Sequence, residues 1–216
     1  MANQQINQYA IDRTIFGDDD YYDIDYWDGA NYQTAKIKGI IIKGACNGGL
    51  FAQTQDGTDI VNTTTETNLL GSGTGSLLIP RDSWFVGKSY HLRVSGEIQA
   101  TLNDGVHLRL KSGSTLLIDP GTNILFQITP ANYFQLDLYL TCRAIGPAGV
   151  GILECNGTFQ KKVDTSTQYR CYQIMETNTT TFDTTIDNTL SVTAEWNVAS
   201  ASNRIQSKTA IFKREY

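Results

Sequence analysis

Over residues 134–142 the chain alternates strictly. Phe134, Leu136, Leu138, Leu140 and Cys142 occupy one set of positions, and Gln135, Asp137, Tyr139 and Thr141 occupy the other. A period of two places every apolar side chain on one face of an extended strand, whereas a helix would scatter the same residues around its axis. The pattern recurs with Tyr90, Leu92 and Val94 against His91, Arg93 and Ser95, and with Val106, Leu108 and Leu110 against His107, Arg109 and Lys111. These are half-buried strands, each needing a second layer to cover its apolar face.

Turn signals separate the runs. Asn103-Asp104-Gly105 predicts a hairpin between two of them, and Lys111-Ser112-Gly113 precedes Thr115–Ile118. Asp119-Pro120-Gly121 turns the chain into a short strand over residues 124–128, and Gly146-Pro147-Ala148-Gly149 ends the long strand so that residues 150–159 return. Two more strands are predicted over residues 190–196 and 204–213. About eight or nine strands with hardly a helical stripe make a sandwich or barrel. Periodicity leaves an immunoglobulin-like sandwich as open as a jelly roll.

The beginning of the chain differs. Around Asp18-Asp19-Asp20-Tyr21-Tyr22-Asp23-Ile24-Asp25-Tyr26-Trp27-Asp28 neither period is sustained, so an irregular arm is expected. The segment is either a solvated tail or an arm that orders against a partner, and the second suits it better, because Tyr21, Tyr22, Tyr26 and Trp27 offer contact area at low entropy cost while Asp18, Asp19 and Asp20 keep it soluble. Residues 37–43 read as a strand or buried linker, and residues 53–67 as a loop. The expected division is therefore an arm and linker over residues 1–65 and a β-domain over residues 66–216.

A net charge of −5 offers phosphates no general attraction, so direct nucleic-acid binding is not expected. No basic segment followed by an apolar core opens the sequence, and no apolar run reaches the roughly 20 residues of a spanning helix. A soluble protein made in the cytosol, without a membrane span, is expected. Cys46, Cys142, Cys155 and Cys171 are scattered, with no C-x-x-C pair, and read as free thiols rather than zinc ligands.

The remaining motifs point away from catalysis. Gly71-Ser72-Gly73-Thr74-Gly75 is followed by Ser76-Leu77-Leu78-Ile79-Pro80 and not by a helix carrying Lys, so it reads as a flexible hinge and not as a phosphate loop. His91 and His107 lie on the polar sides of their strands and read as surface histidines outside any nucleophile motif. The aspartates of the arm lack the full ligand ladder of a calcium loop. Thr179-Thr180-Thr181 and Thr184-Thr185 read as strand threonines before they read as a ligand rim. No enzyme, metal or cofactor is expected. Trp84 follows the turn-like Pro80-Arg81-Asp82-Ser83, where an exposed ring would serve as an interface residue.

Several of these segments also carry a resemblance. Leu69-Leu70-Gly71 leading through Gly75-Ser76-Leu77 to Pro80, then Val86-Gly87-Lys88-Ser89-Tyr90-His91-Leu92, resembles the opening of a module of structural proteins from large DNA viruses and some tailed phages. Ile145-Gly146-Pro147-Ala148-Gly149-Val150, Asn178-Thr179-Thr180-Thr181-Phe182-Asp183 and Val192-Thr193-Ala194-Glu195-Trp196 fit the same pattern in order, up to Phe212-Lys213-Arg214-Glu215-Tyr216. The resemblance covers residues 66–216. It implies a single jelly-roll sandwich of about eight antiparallel strands, used in a virion as a penton at the fivefold vertex or as a minor capsid protein. The partners implied are copies of itself, as a pentamer, and other capsid proteins. The alternative is a trimeric fibre or spike head that binds a host glycan or receptor.

Overall fold

The computed structural model describes residues 21–27, 32–38, 49–119, 124–125, 129–162 and 169–216. It divides into two units, Met1–Gly48 and Gly49–Tyr216. In the first, β1 (Tyr21–Trp27) and β2 (Tyr32–Lys38) form an antiparallel hairpin with Tyr21 opposite Lys38 and Trp27 opposite Tyr32. The acidic segment is thus not irregular throughout. Its alternation of Tyr22, Ile24 and Tyr26 with Asp23 and Asp25 is a period of two too short to stand out among the flanking aspartates. Asp18, Asp19 and Asp20 lie outside the described residues, as does most of the stretch expected as a strand or linker over 37–43.

The second unit opens with short strands: β3 (Gly49–Gln53), β4 (Ile60–Val61), β5 (Thr67–Asn68), β6 (Gly73–Gly75) and β7 (Leu78–Ile79). The longer β8 (Ser89–Ala100) and β9 (Gly105–Ser112) precede β10 (Thr115–Ile118) and β11 (Ile124–Leu125). After β12 (Thr129–Ile145), one 3-10 turn at Pro147–Gly149 leads into β13 (Val150–Lys162), β14 (Tyr169–Asp183), β15 (Asn188–Trp196) and β16 (Arg204–Arg214). All pairings are antiparallel. The large sheet runs β14-β13-β12-β8-β16-β3-β6 and the small one β10-β9-β15-β5, with β11 beside β9 and β7 beside β15.

The two sheets form a β-sandwich over a single core. Leu92, Leu138, Leu140 and Phe212 from the large sheet share a buried cluster with Leu108, Leu110, Val192 and Trp196 from the small one. The alternation along each strand decides which residues enter it, because a one-residue slip would turn the whole apolar set outward. At one edge the layers are tied by side chains: Asn178 Nδ2 donates to the Leu116 carbonyl (2.8 Å), and Glu176 accepts from the Asp119 amide (2.6 Å).

Four expectations change. Asn103-Asp104-Gly105 does turn the chain, with Asn103 at φ 65°, but β8 and β9 belong to different sheets, so it is a corner between layers and not a hairpin. The glycine run is not a hinge: β6 pairs with β3, and a Cβ on Gly73 would fall 2.1 Å from the Ala52 carbonyl oxygen. The third change is β14, of which only threonines 179–181 were expected in a strand. As an edge strand with a solvated outer face it needs few apolar residues, and among its described side chains only Ile174 and Phe182 are buried.

The fourth is the domain boundary. Residues 49–65 belong to the sandwich, because β3 and β4 both pair with β16 and bury Phe51 and Ile60. A buried polar knot fastens the segment further. The Ser207 hydroxyl donates to the Leu69 carbonyl (2.6 Å) and accepts from Gln53 Nε2 (3.1 Å), while the Gly57 amide donates to the Ser207 carbonyl (2.8 Å). Such a loop carries no periodicity, since hydrogen bonds hold it more than alternation does.

Candidate functional site

The outer face of the large sheet carries two clefts, and antiparallel register dictates what lines them. Ser95 of β8 stands opposite Gln135 of β12, which stands opposite Gln160 of β13. One row along, Glu97 pairs with Tyr133, and Lys162 pairs with Tyr169 of β14. The register of Phe134 with Lys161 carries Tyr133 to Lys162 as its next neighbour. Odd positions on β12 that point away from the core therefore bring Tyr133, Gln135, Gln160 and Tyr169 together, with Lys208 at the margin, around a groove of about 350 Å³. The two tyrosines are 70 % and 67 % exposed.

The second cleft, about 260 Å³, is lined by His91, Arg93, Tyr139, Ile211, Lys213 and Glu215. His91 Nε2 lies 2.5 Å from Asp137 Oδ1 and Nδ1 lies 3.2 Å from Glu215 Oε1, while Tyr139 stacks on the imidazole at 4.3 Å between ring centres. Arg93 grips the other Asp137 oxygen at 2.7 Å. Burial alone would raise the Asp137 carboxyl, but the hydrogen bonds from Arg93 and His91 overcome it and hold the group below its ordinary value. Glu215 is lowered chiefly by its hydrogen bond from Lys213.

A matching cluster lies on the outer face of the small sheet. Arg109 Nη1 donates to Glu195 (2.6 Å) and Nε to Asp119 (3.2 Å), His107 pairs with Asp119, and Lys111 reaches Glu66 at 3.1 Å. Glu66 is lowered first by its hydrogen bond from Thr193 and then, against desolvation, by Lys111 and Arg109. Burial raises Glu176 beside Asp119.

His91 is buried rather than on the surface as expected, because Tyr139 stacks on it from the adjacent strand, and His107 is half-buried. They stand on different sheets, so they share no ligand site. Among the described residues the hydrogen bonds of both rings go to carboxylates and an arginine, and none goes to a hydroxyl or thiol nucleophile. Both clusters tie strands together: β8 to β12 and the residues after β16 in one, β9 to β15 and the ends of β10 and β5 in the other. Among the described residues there is no group of three or more His, Cys, Asp and Glu that could hold a metal ion, and no helix is long and apolar enough to cross a membrane.

Of the residues singled out from sequence, Trp84 is reassigned. It is 4 % exposed, with its ring edge-on to Tyr90 (4.8 Å) and Phe182 (5.0 Å), so it is a core residue and no surface anchor. The turn before it folds the ring inward, leaving Phe85 and Val86 exposed instead. Tyr21, Tyr22, Tyr26 and Trp27 share β1, outside the unit that holds the clefts. Cys142, Cys155 and Cys171 are free thiols, the first two buried; Cys155 is pushed up to about 12 by burial. Sequence reading missed the groove because Tyr133 and Tyr169 are 36 residues apart and meet only through the register of β12, β13 and the largely unexpected β14.

No protein-family model matches this chain, and no curated protein or solved structure is similar enough to it to count as a match.

Proposed function

We propose that the chain is a structural protein of a virus particle, built on a jelly roll and assembling as a homo-oligomer through its sandwich and its N-terminal unit, without catalytic activity. The observation that carries the reading is the strand order. Taken in chain order as β3, β5, β8, β9, β10, β12, β15 and β16, the eight strands lie sixth, third, eighth, first in one sheet and fifth, fourth, seventh, second in the other. Consecutive strands pass back and forth between the layers in the manner of two interleaved Greek keys, which supports a jelly-roll winding. The β13–β14 hairpin is then an insertion between the sixth and seventh strands that widens one sheet.

This order supports the jelly roll that the resemblance implies, although its first strand, β3, precedes the residues 66–216 that carry the resemblance, and the vertex location is drawn from that resemblance alone. The N-terminal hairpin adds support of another kind. A two-stranded hairpin is at best marginally stable by itself in water, so β1–β2 needs a surface to order against, as an arm that reaches a neighbouring capsid subunit would have. The alternative, a trimeric head binding a host glycan, draws its support from the exposed tyrosines of the groove.

The mass in solution of the full chain, compared with a chain beginning at Gly49, tests the reading. A pentamer that requires residues 1–48 agrees with the vertex protein. A trimer that survives the truncation favours the head, and a monomer at every concentration, unaltered by any capsid partner, overturns both.

A further inference from the structure

We infer that the groove around Tyr133 and Tyr169 is a binding site for an acidic saccharide. Its two rings stand on β12 and β14, which are separated by β13 and so by two strand spacings, about 10 Å. The amides of Gln135 and Gln160 line the groove beside them, and the hydroxyl of Ser95 lies across β12 on the side away from Tyr169. The Gln160 side chain makes no hydrogen bond among the described residues, and that of Gln135 makes only a long one to Asp137, at 3.4 Å. Flat exposed rings with unspent amides beside them match a sugar, whose C–H faces are apolar and whose hydroxyls project at the ring edges.

The charge around the groove selects the kind of sugar. Lys162 stands between the two tyrosines in register and Lys208 lines the margin, while Glu97 stands opposite Tyr133 on the side away from Lys162. Lys208 is engaged with Asp56 at 2.6 Å, but Lys162 has no hydrogen-bonding or ion-pair partner among the described residues. A carboxylated sugar would supply Lys162 with a partner. A polypeptide such as the acidic arm carries suitable charge, but lying across a sheet face it would leave its backbone N–H and C=O groups unmet by so few side chains.

The inference does not depend on the particle role proposed above. It is tested with the full-length protein and three probes, 3′-sialyllactose, a hyaluronan tetrasaccharide and the neutral cellotetraose, by ligand-observed NMR and calorimetric titration. At least one acidic probe should bind, with Tyr133→Ala and Tyr169→Ala each weakening it about tenfold, the loss of one stacked ring. Tyr133→Phe should retain binding, and Lys162→Gln should weaken it and flatten its salt dependence. Unchanged unfolding transitions would show that these exposed positions alter the site and not the fold. Absence of binding by both acidic probes at millimolar concentration overturns the inference, and so does equal binding of cellotetraose or binding untouched by the tyrosine variants. If instead a peptide of residues 15–31 binds and is lost in those variants while no acidic probe binds, the groove is the seat of the arm and the saccharide assignment fails.

Discussion

At the scale of single residues, two positions show how differently this sandwich uses its inner and outer faces. Trp196 is fully buried, and its indole N–H donates to the Ile60 carbonyl at 3.2 Å, joining β15 to the segment that lies over β16. Trp196→Ala should cost about 3–5 kcal/mol in denaturant unfolding, the range for deleting a large aromatic from a core. Trp196→Phe should cost less, with the unmet carbonyl accounting for about 1–3 kcal/mol. Asp137 faces outward, yet Arg93 and His91 hold its carboxyl below the ordinary value. The folded chain therefore takes up that proton less readily than the unfolded one. The stabilisation is complete above the ordinary carboxylate range and is lost as pH falls through the lowered folded value. Asp137→Asn should unfold at lower urea than the parent at neutral pH, and the gap should narrow as pH falls below about 4. A gap independent of pH would mean that Asp137 acts through shape and not through charge.

Among the elements, β6 gives the sharpest contrast between reading a sequence and seeing its fold. A flexible hinge would tolerate alanine at Gly73, or gain about 0.4–1 kcal/mol from a stiffer unfolded chain. In the sheet a Cβ there meets the Ala52 carbonyl oxygen, so Gly73→Ala should lose about 1–3 kcal/mol, read from the shift of the urea midpoint. Alternation foretold the long core strands because each inward position of β8, β9, β12 and β15 must be apolar, and Leu92, Leu108, Leu136 and Val192 are all buried. The free thiols and the turn at residues 146–149 were legible for similarly local reasons. The short strands β4, β5 and β7 span two residues each and can show no period. The edge strand β14 has little need of apolar residues. Trp84 and His91 were misjudged because whether a side chain is covered depends on neighbours from distant strands. The groove was illegible for the same cause, since its tyrosines are neighbours only across two strand pairings.

For the whole molecule, the boundary at Gly48 and Gly49 decides what can fold by itself. A chain beginning at Gly49 keeps every strand of both sandwich sheets and should unfold in one transition, at the same midpoint as the sandwich in the full protein. A chain beginning at Glu66, where the loss of periodicity ends, lacks β3 and β4 and with them the buried Phe51 and Ile60. Those two side chains contribute about 1.5–3 kcal/mol each. Against a total stability of about 5–15 kcal/mol for a domain, their loss takes away a large share, and the Gln53 knot around Ser207 goes with them. The cut also strips β16 of its partners on the side away from β8, exposing an unpaired strand edge that invites pairing between chains. The chain from Glu66 should therefore show a broadened, lowered thermal transition and concentration-dependent aggregation by light scattering, while the chain from Gly49 shows neither. Equal transitions for the two would mean that residues 49–65 lie on the sandwich without supporting it, and the first 65 residues would regain the standing of an arm.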